Sequence, residues 1–176
     1  MFKTTLTVLA ALLILSSTVL AAPRCTPALV TGSYVHQFTT APYPYIDQLT
    51  LSFDGTAYWY QSSAFNFLLT GGTYIPQIGS WTCLADGTVL VTTIGTLYGP
   101  SGTGDIIIED NYRRTEKFTV VDSNTLQAIK NVSTEIPLSD DPLGPGTVLD
   151  SCAAGGSTPC DPAPFKRIRP LLTDLQ

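Results

Sequence analysis

Charge is scarce in this 176-residue chain, at 13% of residues, and positive charge is scarcer still, with nine lysines and arginines against fourteen acids. That balance excludes the basic footprint that nucleic-acid binding requires. There is one histidine, His36, and the four cysteines do not follow zinc-ligand spacing, which speaks against a metal centre. No Gly-x-Ser-x-Gly elbow is present to carry a nucleophile. The run Gly99-Pro100-Ser101-Gly102-Thr103-Gly104 lacks the Lys-Ser or Lys-Thr that a phosphate loop needs. The residues therefore call for no cofactor and no metal, and they single out no catalytic group. Long apolar runs are also missing. The one candidate, Leu6 to Leu15, falls short of the ~20 residues that cross a bilayer, so no membrane span is expected.

That short run has a different meaning. Lys3 precedes it, and Ser16-Ser17-Thr18 and Val19-Leu20-Ala21-Ala22 follow. A charged start, an apolar middle and a small-residue exit describe a secretory signal peptide, read here as residues 1–21 with cleavage after Ala21. The expected location is outside the cytoplasm, extracellular or periplasmic. Cys25, Cys83, Cys152 and Cys160 then read as two disulfides. A local bridge between Cys152 and Cys160 would leave Cys25 for Cys83, while a competing pairing joins Cys83 to Cys152 or Cys160 and ties the tail to the body.

The region from Leu29 to Ser133 is dense in β-branched and aromatic residues, broken by turns at short intervals, which is an all-β pattern. Leu49, Leu51 and Phe53 alternate with Gln48, Thr50 and Ser52, then Asp54-Gly55 leads into Thr56-Ala57-Tyr58-Trp59-Tyr60. Asp-Gly between two such runs signals a hairpin, because glycine accepts the positive φ of a tight turn. The arrangement recurs at Asp86-Gly87 and at Asp122-Ser123-Asn124. With strands near Leu29–Phe38 and Asp105–Ile108, the expectation is an antiparallel meander of about eight strands. Closing it into a barrel removes both exposed edges; a two-sheet β-sandwich is the alternative. The barrel domain is read as residues 22–135. Seven of the thirteen prolines lie beyond Ile136, so residues 136–176 are read as an irregular Pro/Gly-rich arm tethered by a disulfide.

Gly32-Ser33-Tyr34 opening the first strand, Phe53-Asp54-Gly55-Thr56, Gly79-Ser80-Trp81, Asp86-Gly87-Thr88-Val89 and Phe118-x-Val120-Val121-Asp122 occur in an order that resembles the small lipocalin-like barrels of the calycin group. The likeness covers about Leu29 to Lys130. The family usually opens on Gly-x-Trp, where this chain has Tyr34. The resemblance implies a β-barrel and, for many members, a small apolar ligand in its mouth.

Aromatics carry the functional expectation. A cluster of rings on both faces of the third strand and in the following segment points to an aromatic-lined pocket. The candidate ligand-binding residues are Tyr34, His36, Tyr58 and Trp59, with Tyr60, Phe65, Phe67 and Trp81. The leading expectation is a non-enzymatic binder of a small, largely apolar or carbohydrate ligand. A surface scaffold with a filled barrel is the second reading, and a hydrolase using His36 the third. Arg113, Arg114 and Lys117 are read as protection of a strand edge. Asn131-Val132-Ser133 fits a glycosylation acceptor, conditional on a eukaryotic secretory route.

Overall fold

The computed structural model describes residues 24–38, 45–61, 73–74, 76–103 and 105–169. The expected signal peptide, Phe65 and Phe67 lie outside the described residues. One helical turn, α1 (Pro27–Val30), precedes β1 (Gly32–Phe38), β2 (Tyr45–Leu51) and β3 (Thr56–Gln61). Next come β4 (Thr73–Tyr74), β5 (Gln77–Cys83), β6 (Val89–Pro100), β7 (Ile106–Asp122) and β8 (Thr125–Pro137). The chain ends its regular structure with β9 (Thr147–Ala153) and β10 (Phe165–Arg167). Among the described residues no helix is long and apolar enough to cross a membrane.

All pairings are antiparallel, and they close. The order β1-β2-β3-β5-β6-β7-β8 is a meander, and β10 bridges its ends by pairing with both β8 and β1. The result is a closed barrel of eight strands, with β4 on the edge of β6 and β9 continuing along β8 beyond β10.

The turns explain the register. Gly55 and Gly87 take φ of +87° and +84°, the left-handed conformation that a residue with Cβ resists. At each turn the aspartate accepts the amide of the residue two further on: Thr56 N at 2.9 Å from Asp54, Thr88 N at 3.0 Å from Asp86, and Asn124 N at 2.7 Å from Asp122. A hairpin that starts from such a turn has one register, and a slip by one residue would expose its apolar face.

Two details differ from the sequence reading. Phe53 does not continue the apolar face of Leu49 and Leu51; it sits in the turn and is 74% exposed. The segment read as an irregular arm also supplies the closing strand, since β10 lies at Phe165–Arg167, well past residue 135. The disulfides are Cys25–Cys83 and Cys152–Cys160, with Cα separations of 5.5 and 4.9 Å. The first ties α1 to the end of β5, and the second closes the loop that precedes β10.

The core fills the end of the barrel beneath α1. Val30, Leu49, Leu51, Val89, Val120 and Leu126 are buried there with Tyr34, Trp59, Phe118 and Phe165. Phe165 packs edge-on against Trp59 and Phe118, at centroid distances of 5.4 and 5.2 Å. Edge-to-face contacts of this kind stabilise aromatic clusters beyond the area they bury.

Candidate functional site

Above that apolar end, the inward positions change character. Along β7 the inward alternation runs Val120, Phe118, Glu116, Arg114, Tyr112, and along β2 it runs Leu51, Leu49, Asp47. Pleat geometry therefore forces three charged side chains into the interior directly above the rings. Asp47 and Glu116 are buried, 0% and 3% exposed.

Arg114 organises this layer. Its Nε donates to Glu116 at 3.0 Å, its Nη1 lies 3.5 Å from Asp47, and its guanidinium sits 4.0 Å above the centre of the Trp59 ring. A planar, weakly hydrated cation stacked on an indole suits a buried position better than lysine would. Thr93, donating to Gln77 at 2.7 Å, and Tyr112, donating to Ser133 at 2.8 Å, extend the polar layer around the wall.

The electrostatics follow from burial. Desolvation pushes Asp47 up to about 7, against the opposing pull of Arg114. Glu116 is raised for the same reason, with Arg114 resisting. Burial alone would lower Arg114, but the two carboxylates outweigh it and hold the guanidinium charged. His36 stands opposite Asp47 in the β1–β2 register and packs on Phe165 at 4.7 Å. Burial lowers its pKa, while Asp161 at 3.8 Å pulls the other way.

Neither carboxylate oxygen of Asp47 accepts a hydrogen bond from the described residues. The Trp59 indole N–H faces it closely enough to favour its ionised form, yet stops short of hydrogen-bond geometry. An ionisable group with unused bonding capacity is costly to keep in an interior, and this is the most unusual feature of the barrel.

Of the eight ligand-binding candidates, His36 and Trp59 border this layer. Tyr34 and Trp81 are buried at the α1 end with structural partners. Tyr34 donates to Val30 O at 2.8 Å and accepts from Arg167 at 2.7 Å. Trp81 donates its indole N–H to Ser52 O and its backbone N–H to Gly55 O, both at 2.8 Å, pinning the first hairpin turn. Tyr58 and Tyr60 point outward, 49% and 46% exposed. Phe65 and Phe67 lie outside the described residues.

Sequence reasoning missed Asp47, Arg114 and Glu116. Arg114 is not edge protection, since it is the central interior cation. Arg113 instead donates to the carbonyls of Pro142 and Gly144, and Lys117 pairs with Asp86 at 2.6 Å on the outside. The glycosylation reading also meets an obstacle, because Asn131 and Ser133 are both buried. Compared with known proteins, the chain matches no family model, no curated protein and no solved structure.

Proposed function

We propose that this chain is a secreted, non-enzymatic, lipocalin-like binding protein that holds a small, largely apolar ligand in its barrel. The ligand's polar end lies against the interior layer of Asp47, Arg114 and Glu116, and its apolar body extends away from α1. The observation that carries this reading is the Asp47 carboxylate, wholly buried and accepting no hydrogen bond from the described residues. A group in that state gains on meeting a partner, and its burial makes each hydrogen bond stronger than in water. The closed eight-stranded meander supports the lipocalin-like assignment, and two disulfides, which persist in oxidising compartments, support export along with the N-terminal leader pattern.

The α1 end is a packed core, so the apolar surface of the ligand is not covered there. Binding covers apolar area at roughly 25 cal/mol per Å², and the charged layer fixes orientation. The test uses Trp59 as the reporter. In a Trp81→Phe background Trp59 is the remaining tryptophan, and titration with a neutral, fluorescent apolar probe should quench it saturably at one probe per chain. A linear, non-saturating response in this variant, matched by calorimetry on the wild type, rejects the proposal.

The second reading, a scaffold acting through its outer surface, draws on Ile46, Tyr58, Tyr60 and Ile78. All four are exposed on the outer faces of β2, β3 and β5, with Tyr58 directly opposite Ile78. Loss of partner binding on replacing these residues, with probe binding unchanged, would select it.

A further inference from the structure

Resting on the binding reading above, the charge count of the interior narrows the chemistry of the ligand. Two carboxylates and one guanidinium share the layer, and with all three ionised its net charge is −1. His36 does not supply the missing positive charge, since burial favours its neutral form. Arg114 is committed on three sides: Nε to Glu116, Nη1 towards Asp47, and one face on Trp59. An entering anion would find its cation occupied and two carboxylates nearby. Glu116 likewise has its partner. Asp47 alone keeps both oxygens without a hydrogen bond from the described residues.

We propose that the ligand is an amine with an apolar body, its protonated nitrogen seated against the Asp47 carboxylate. One ammonium group brings the single positive charge that balances the layer, and its several N–H donors match the two open oxygens. A hard divalent cation suits the layer less well, because it needs several oxygen ligands and both carboxylates already face Arg114, with only the Asp47 oxygens open to a hydrogen-bond donor. The raised pKa of Asp47, about 7, fits the same picture: without a cation the site relieves its charge by taking up a proton. Fatty acids, the obvious guests for a greasy barrel, are disfavoured by the same arithmetic.

The experiment compares three ligands with one tail: decylamine, decanol and decanoate, each titrated by calorimetry into the wild-type chain at pH 8 and below its aggregation concentration. The amine should bind at least about tenfold more tightly than the carboxylate, the scale of one charge-assisted hydrogen bond. Asp47→Asn, which keeps the side-chain volume, should weaken the amine at least about tenfold and bring it level with the alcohol, and a cooperative urea transition shows that the variant is folded. Equal binding of all three, tighter binding of decanoate, or an amine preference that survives Asp47→Asn overturns the amine assignment but leaves the apolar-binding reading standing. Failure of all three to bind overturns both.

Discussion

Replacing Asp47 by Asn should stabilise the barrel, and the gain should grow with pH. The wild-type carboxylate titrates at about 7 in the folded chain against 3.8 for the free side chain. Between those values the folded state holds a proton that the unfolded state has released, so stability falls as pH rises through that window. Above it the penalty is constant. About three pH units at ~1.4 kcal/mol each give a ceiling of about 4 kcal/mol at pH 8, shrinking to a few tenths near pH 4. Asparagine carries no such penalty, and Arg114 keeps Glu116 as a partner at 3.0 Å, so the substitution leaves no guanidinium unpaired. Urea unfolding of wild type and variant at half-unit steps from pH 4 to 8, followed by tryptophan fluorescence, isolates the effect. Contributions from His36 and Glu116 occur in both chains and largely cancel in the difference. A difference that stays flat with pH, or a wild type more stable than the variant at pH 8, refutes the argument.

Other expectations test the frame that holds this layer. Alanine at both Cys25 and Cys83, whose separation is 58 residues, should cost about 4 kcal/mol on chain-entropy grounds. The Cys152/Cys160 pair, 8 residues apart, should cost about 2.5 kcal/mol, so urea midpoints should rank in that order. Gly79→Ala should prevent normal pairing of β5 with β6, because its Cβ would lie 1.9 Å from Thr92 O and 2.7 Å from Thr93 Cα. Gly102→Ala, with nothing within 4 Å, should leave the thermal midpoint within a degree or two. Phe165→Ala should cost roughly 3–5 kcal/mol, since it removes the ring that packs on His36, Trp59 and Phe118; a smaller loss in urea unfolding would mean that the seam beside β10 collapses around the gap.

The hairpins were legible in the sequence because their signals are local. Asp-Gly at 54–55 and at 86–87 states both the turn and the change of direction within two residues, and the structure carries the turns where these dipeptides fall. The Cys152–Cys160 bridge was legible because the seven residues between them, mostly with small side chains, close easily, and that leaves Cys25 for Cys83. The charged layer was harder to see, since a polar residue in a strand normally marks the wet face. The needed signal was parity: Glu116 and Arg114 share the alternation of Phe118 and Val120, and Asp47 that of Leu49 and Leu51. Applied strictly, period two places all three inside. β10 had no comparable signal, because three residues among prolines show no periodicity and their strand state depends on edges presented by β1 and β8.

That last dependence shapes how the molecule comes together. Arg167 reaches Tyr34 across 133 positions of chain, whereas each tight turn joins near neighbours. Loop closure on that scale is slow and entropically disfavoured until most of the ribbon already exists. The cylinder should thus zip shut late, along a seam of two residue pairs on each side of β10, and a chain cut ahead of Phe165 would leave bare sheet edges on β1 and β8 there, the kind of edge that invites aggregation.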